Sequence, residues 1–412
     1  MERVRIVSGT QEYEGILMPS MKEGILLLKL DNGYNIGIRE KGSKITVLKK
    51  VKETKEPQPK AQKKEQKDLP KIMILHTGGT IASQVDYETG AVIARFTPEE
   101  IIAKFPELQN IAQVDSKLLR NMWSGDMRFA HYNIMAKAVA AEMKKVKGII
   151  ITHGTDTMGY SAAALSFMLE GIQIPVIFVG AQRSSDRGST DAALNLLCAT
   201  HFITKTDFKG VAICMHENMD DESCIILPAC RTKKLHSSRR DAFKAVNTQP
   251  IARVTKDGAV TWISHKEAAK TDFKLTLMNE KLKVGIVRFH PNFFAAELEH
   301  YKNFDGVIIE GTGLGNGPVD VIDKETKEHD KILKTIEKLA KKIPIAMTTQ
   351  CIFGRIDMDV YAYGRKLQQA GVIGNGTDML TETAFIKLAW LLSNHKKNVK
   401  EMYVKNLRGE ST

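Results

Sequence analysis

The 412-residue chain has no uninterrupted apolar run of the ~18 or more residues that a bilayer span needs. Behind Met1-Glu-Arg-Val-Arg there is no apolar stretch either, so no secretory leader is expected. Cysteine is scarce: Cys198, Cys214, Cys224, Cys230 and Cys351 are loosely spaced and form no CxxC pair. That pattern argues against a zinc framework or a disulfide scaffold and fits reduced thiols in a cytoplasmic protein, with no metal site. No internal repeat is evident. What is present, 43% hydrophobic and 26% charged residues, is the make-up of an ordinary globular protein. Its length suggests two or three domains.

The charge is uneven. Formal net charge is +12, and residues 1–71 hold sixteen Lys or Arg against ten Asp or Glu, so half the excess sits in about a sixth of the chain. A basic segment of this kind suits an acidic partner such as RNA, and equally suits a lysine-rich solubilising linker.

In chain order, residues 1–48 read as a small all-β unit. Val4–Val7, Glu14–Met18, Ile25–Leu30, Tyr34–Ile38 and Ile45–Leu48 are rich in β-formers, and Asp31-Asn32-Gly33 is a hairpin signal. Five strands in so short a span predict a small SH3-like β-barrel, a size that serves docking better than chemistry. Residues 49–70, dominated by Lys, Glu, Gln and Pro, lose all periodicity and read as a basic linker.

From Lys71 onward, strand-like and helical patterns alternate. Ile72–Leu75, Gly148–Thr152, Val176–Val179, Val211–Met215, Val284–Phe289, Val307–Ile309 and Ile343–Met347 are the strand candidates. Thr97–Lys104, His131–Lys145, Ser161–Leu169, Asp191–Thr200, His329–Lys341 and Thr381–Leu392 are helical. The expectation is an α/β fold with a mainly parallel sheet covered on both faces. The polar stretch Val254–Asp272 divides it into a larger lobe, about 71–265, and a smaller one, about 280–412.

Four segments stand out. The first is Thr77-Gly78-Gly79-Thr80, at the carboxyl end of the Ile72–Leu75 strand, where open α/β sheets bind ligands. Its glycines let backbone N–H groups approach a ligand closely; taken alone it is also a plain structural turn. The second, Thr152-His153-Gly154-Thr155-Asp156-Thr157-Met158, follows another apolar strand and precedes a helix. A threonine hydroxyl acts as a nucleophile when a base takes its proton and donors hold the oxyanion, and an adjacent aspartate suits a substrate ammonium. The third, Arg231-Thr232-Lys233-Lys234, offers a lysine that, desolvated near hydroxyls, serves as a base or relay; in isolation it is a solvated basic loop. The fourth, Ser124-Gly125-Asp126-Met127, reads in isolation as a helix N-cap.

Together these segments resemble the bacterial-type asparaginase and glutaminase family, over essentially all of residues 71–412. The resemblance implies an asparaginase-like two-lobed enzyme. Thr80 would be the nucleophile that forms an acyl-enzyme on the side-chain amide carbon, with Gly79 beside it in the substrate pocket. Thr155, Asp156 and Lys234 would form a second hydroxyl relay. Ser124 and Asp156 would grip the substrate's α-carboxylate and α-amino groups, and Tyr87, in the loop 84–90, would activate the nucleophile. Many members carry Gln after the carboxylate-binding serine; here it is Gly125, which leaves the choice between asparagine and glutamine open. The family completes its pocket with residues from a second protomer.

The N-terminal unit and linker extend the resemblance to the asparaginase-like components of archaeal glutamyl-tRNA(Gln) amidotransferases. That implies a homodimer joined to a companion component, the amidotransferase E subunit, as a heterotetramer, with tRNA(Gln) bound through the complex. No cofactor is implied for this chain; ATP and Mg²⁺ would act in the companion. A free type-I-like asparaginase is the alternative.

Two further features read as structural. Gly311-Thr-Gly-Leu-Gly-Asn-Gly-Pro fails the GxGxxG spacing and reads as a tight turn. Cys351, with no histidine assignable to it, reads as a buried thiol.

Overall fold

The computed structural model describes residues 2–20, 23–31, 35–50, 68–79, 83–85, 92–94, 105–183, 190–264 and 271–412. Thr80, Tyr87, the Thr97–Lys104 helix candidate, most of the basic linker and the tip of the Asp31-Asn32-Gly33 turn lie outside them.

The N-terminal strands Glu2–Ser8, Gln11–Met18, Ile25–Leu30, Asn35–Arg39 and Ser43–Lys50 form one antiparallel sheet, in the spatial order fourth, third, second, first, fifth. Val4, Ile6, Leu28 and Ile38 form its buried core cluster. Ile45 and Val47 pair with Ile6 and Val4 across the first and fifth strands yet remain half exposed, because the fifth strand is an edge. The ion pairs Arg3–Asp31 and Arg5–Glu14 are exposed and add little stability.

The larger lobe is built on an eight-stranded sheet. Gln113–Met122, Lys71–Gly78, Gly148–Thr152, Pro175–Val179 and Gly210–His216 run parallel; Ser223–Pro228, Ala252–Thr255 and Val260–Trp262 continue antiparallel. Continuous apolar runs make sense here, because both faces are covered. Ile72, Ile74, Ile150 and Ile177 face Phe202 and Ile203 of the Ala192–Lys205 helix. The alternate residues Met73, Leu75, Ile149, Ile151 and Phe178 face the Phe129–Glu142 and Met158–Met168 helices. Each such side chain, fully buried, contributes about 1.5–3 kcal/mol.

The smaller sheet has three parallel strands, Val284–Arg288, Gly306–Gly311 and Ile345–Thr349. Ile332, Ile336 and Leu339 of the Glu328–Ala340 helix cover one face at helical spacing. The other face packs on Thr381–Asn394, whose residues join the larger lobe's core: Trp390 stacks on Phe167 at 5.5 Å between centroids. The stretch Val254–Asp272 is therefore no plain divider. Its first part belongs to the two antiparallel edge strands of the large sheet.

Candidate active site

The first two sequence signatures meet backbone to backbone. Gly79 has φ 81°, and a Cβ built on it would lie 2.4 Å from the Gly154 nitrogen and 2.6 Å from the Gly154 Cα. Gly154 in turn faces Ser124: a Cβ there would stand 2.8 Å from the Ser124 Cβ and 2.9 Å from its Oγ. Glycine at both positions is what lets three loops close to contact distance. Hydroxyls lock the arrangement. Thr77 Oγ1 donates to the Thr152 carbonyl at 2.9 Å, and Thr157 Oγ1 donates to the Ser124 carbonyl at 2.6 Å.

Ser124 is buried in a short 3₁₀ turn, Ser124–Asp126, and the helix that follows is capped from Arg128, not from Ser124 or Asp126. The capping explanation for this motif therefore falls away. The glycine contact and the Thr157 hydrogen bond account for its burial.

Thr155 opens the 3₁₀ turn Thr155–Thr157, just past the Gly148–Thr152 strand. Lys234 reaches it from a short ribbon, Thr232–Lys234 paired with Phe243–Ala245, in which Lys234 lies opposite the buried Phe243. Lys234 Nζ donates to Thr155 Oγ1 at 2.9 Å and to Asp156 Oδ1 at 2.8 Å. The lysine side chain is 15% exposed and the aspartate 76%, so the cluster grades from a covered amine to a carboxylate open to solvent. Thr155, Asp156, Lys234, Ser124 and Gly79 thus form one neighbourhood; Thr80 and Tyr87 lie outside the described residues.

Two histidines sit behind it. Burial pushes His76 and His153 down to about 4. His153 Nδ1 donates to the Gly154 carbonyl at 2.7 Å, and its Nε2 accepts from Ser161 Oγ at 2.8 Å, which fixes a neutral tautomer. His76 Nδ1 bonds Thr152 Oγ1 at 2.9 Å. His153 commits both ring nitrogens to the scaffold, whereas His76 commits only Nδ1, and its buried Nε2 has no hydrogen-bond partner among the described residues. The second-layer parts Thr157 and Ser161 went unread in the sequence, although Thr157 lies inside the second signature.

Elsewhere, Gly311–Gly317 closes on itself: Asn316 N donates to the Thr312 carbonyl and Thr312 N to the Asn316 carbonyl, both at 2.9 Å. Cys351 is exposed, contrary to the expected buried thiol, because the loop after Ile345–Thr349 turns it outward. Among the described residues no cluster of three or more His, Cys, Asp or Glu is arranged to hold a metal ion, and no helix is long and apolar enough to cross a membrane. A cavity of about 870 Å³, lined by Glu170, Gln173, Gln249, Gly409 and Thr412 among others, lies at the opposite, amino-terminal edge of the large sheet and does not include the Thr155 cluster.

The chain matches three family models: the asparaginase N-terminal domain over residues 71–268, the glutaminase/asparaginase C-terminal domain over 283–402, and the GatD N-terminal domain over 1–48. Among solved structures it is similar to the thermostable L-asparaginase from Thermococcus kodakarensis, with TM-score 0.73, 29% identity and coverage of 83% of this chain and 99% of that one. L-asparaginase I from Vibrio cholerae aligns with TM-score 0.70 and 26% identity, over 84% and 99% of the two chains. The D subunit of glutamyl-tRNA(Gln) amidotransferase from Pyrococcus furiosus is 43% identical over 97% of this chain and 91% of its own length. Its counterpart from Archaeoglobus fulgidus is 44% identical over 99% and 94%. An asparaginase-like body, an N-terminal unit matched by its own family model, and near-full-length identity of this order place the chain in the GatD family of glutamyl-tRNA(Gln) amidotransferase components.

Proposed function

We propose that the chain is the ammonia-releasing amidohydrolase of a tRNA-dependent amidotransferase. It would hydrolyse the side-chain amide of glutamine or asparagine and supply ammonia for converting glutamyl-tRNA(Gln) to glutaminyl-tRNA(Gln). The observation that carries the reading is the Lys234–Thr155–Asp156 cluster at 2.9 and 2.8 Å, next to the Gly79–Gly154 contact.

In this reading Thr80 Oγ attacks the amide carbon and gives up its proton, with Tyr87 as activator. The carbon–nitrogen bond breaks as a proton reaches the leaving nitrogen, and water then hydrolyses the threonyl ester. Lys234 donates to Thr155 Oγ1, which leaves the Thr155 hydroxyl proton free to point toward the reacting centre. Asp156 spends Oδ1 on Lys234, so Oδ2 is available for the substrate's α-ammonium. Ser124 Oγ, beside Gly154, suits the α-carboxylate. A second copy of the chain completes the pocket. The companion amidotransferase component binds tRNA(Gln) and carries the ATP- and Mg²⁺-dependent activation. Ammonia is mostly protonated near neutral pH and then not nucleophilic, so release is useful only when coupled to an acceptor shielded from water.

The test is ammonia release from glutamine and from asparagine, with and without the companion and glutamyl-tRNA(Gln). Weak hydrolysis alone and strong stimulation by both together are expected. Full turnover without any partner would instead favour a free asparaginase, and retained activity in Thr80→Val would sink the nucleophile assignment.

A further inference from the structure

Lys234 is delivered to its site by a three-residue strand, too short to hold a lysine tip by backbone pairing alone. The residue just before that strand, Arg231, is buried and multiply hydrogen-bonded. It is 4% exposed, and its guanidinium ties its own segment to three others. Nε donates to the Gly409 carbonyl at 3.0 Å; NH1 donates to the Asn247 carbonyl at 3.0 Å; NH1 and NH2 form a fork on Asp378 at 2.9–3.1 Å. Asp378 lies just before the Thr381–Asn394 helix, and three more donors converge on it: Ser411 Oγ at 3.0 Å, Thr412 N at 3.0 Å and Thr412 Oγ1 at 2.9 Å.

The segment that supplies those donors has its own anchor. Glu410 is fully buried against Lys387 at 2.6 Å, and it also accepts from the Leu407 backbone at 3.0 Å. Asn247 has φ 55°, in the left-handed region that asparagine adopts more readily than most residues with a side chain. Its amide bonds the Gly354 and Asp378 carbonyls at 3.1 Å each. On the other side of Thr232, Lys233 pairs with Glu382 in the first turn of the same helix. The strand that ends in Lys234 is therefore held to the smaller lobe at two points, just before it through Arg231–Asp378 and at its middle residue through Lys233–Glu382.

Buried ion pairs are poor net stabilisers, since desolvation offsets most of the attraction, but they impose geometry, and their partners cannot shift without leaving a charge unpaired. We propose that Arg231 and Asp378, braced by residues 407–412, are positioning residues that set the Lys234 amine against Thr155 and make the site's geometry depend on how the smaller lobe and the 407–412 segment are docked. This rests on the reading of Lys234 as part of the amidohydrolase machinery. The 407–412 segment also lines the 870 Å³ cavity, so solvent reaches it from the side away from the site.

The experiment measures ammonia release by the full-length protein with its companion, comparing wild type, Asp378→Asn, the double variant Ser411→Ala/Thr412→Val, Arg231→Lys, Arg231→Met and Lys234→Met. A misplacement well under 1 Å at Lys234 should lower kcat roughly tenfold in Asp378→Asn and about threefold in the double variant, with KM within about twofold of wild type. The pH profile of kcat should shift in both, and Arg231→Lys should recover part of what Arg231→Met loses. The double variant removes only hydroxyl contacts, two on Asp378 and a long one from Arg355 at 3.5 Å, so it still answers where Asp378→Asn fails to fold. If its melting temperature falls while kcat and the pH profile stay at wild type, the hub is merely structural and the proposal is overturned. Lys234→Met separates the two layers. Retained activity there overturns the site reading itself, whereas an inactive Lys234→Met beside an unaffected double variant overturns only the positioning role.

Discussion

Parallel strands in both lobes of this protein end in glycine-rich turns, and the two sets of glycines are put to different uses. In the larger lobe they bring separate loops together: Gly79 lies against Gly154, and Gly154 against Ser124. In the smaller lobe Gly311–Gly317 folds on itself through the Thr312–Asn316 bridge, and its glycines make room for Met347, Met358 and Phe289. Threonines accompany both. What separates them within the chain is the partner of the hydroxyl. Thr155 receives a lysine amine, whereas Thr312 Oγ1 donates to a carbonyl of its own turn at 3.3 Å. Glycine and threonine stand at strand ends in both lobes, and at Thr155 a charged group from elsewhere in the chain meets the hydroxyl.

The sharpest way to break that comparison is to remove the chemistry on one side only. Lys234→Met or Thr155→Val should lower kcat for amide hydrolysis by roughly 10²–10⁴-fold, the range of a lost acid–base group. Thr312→Val should stay within about twofold, since it loses one weak exposed hydrogen bond. Equal losses in steady-state assays of Thr155→Val and Thr312→Val would show that the two turns serve the reaction alike.

Removing the close approach is next in size. Gly79→Ala forces a methyl to within 2.4 Å of backbone at φ 81°, and the backbone cannot yield as a side chain would. A loss of about 2–4 kcal/mol in denaturant unfolding is expected, together with lost activity. Gly313→Ala has φ 50° but meets nothing within 4 Å, so only the conformational cost of about 1–2 kcal/mol remains. Equal destabilisation of the two would mean that conformation, and not loop-to-loop contact, explains the larger lobe's glycines.

Most of this scaffold was legible because its signals are local. The run Gly148–Thr152 and the helix beginning at Thr381 fall where apolar patterning puts them, since buried parallel strands and amphipathic helices carry their environment in their own residues. Gln113–Met122 escaped notice: an edge strand reading Gln-Val-Asp-Ser-Lys-Leu-Leu-Arg-Asn-Met has one solvated side and little alternation. The antiparallel strands Ser223–Pro228 and Ala252–Thr255 are not among the strand candidates, and the second runs into the polar stretch Val254–Asp272 that reads as a divider. At the site, Thr155, Asp156 and Lys234 were readable by resemblance, but the pairing of Arg231 with Asp378 was not. The partners are 147 residues apart, and neither carries any sequence mark of the other.

A titration separates the two lobes more gently. His76 and His153 of the larger lobe are both pushed down to about 4 by burial, so their folded values lie below the unfolded 6.5. Folding then excludes protons, and the stability these residues permit is complete above pH 6.5 and lost as pH falls toward 4, at about 1.4 kcal/mol per unit of difference for each. His290 of the smaller lobe is raised, first by the Pro291 carbonyl and then by Glu297. It contributes in the opposite sense, below pH 6.5, and loses the contribution as pH rises through its folded value. It is exposed, so the larger lobe should dominate acid unfolding. Denaturant midpoints between pH 4 and 7.5 should fall on the acid side, and His153→Gln should flatten that slope. An unchanged slope in His153→Gln would remove His153 from the account.

The smallest expected effect is on substrate choice, and it tests whether the larger lobe's site has a place left open by its own sequence. Gly125 lies between Ser124 and Asp126 in the 3₁₀ turn; a Cβ added there meets nothing within 4 Å, and its φ lies outside the left-handed region. Gly125→Gln should therefore fold with unchanged stability. Its amide would add one donor and one acceptor beside the Ser124–Gly154 contact. One such hydrogen bond is worth about 0.5–1.5 kcal/mol, so the ratio of kcat/KM for asparagine and glutamine should move by roughly two- to tenfold, through KM more than kcat. A substrate ratio unchanged in a normally folded Gly125→Gln would mean that a side chain at position 125 does not reach the bound amino acid, and that Gly125 leaves no open place in the site.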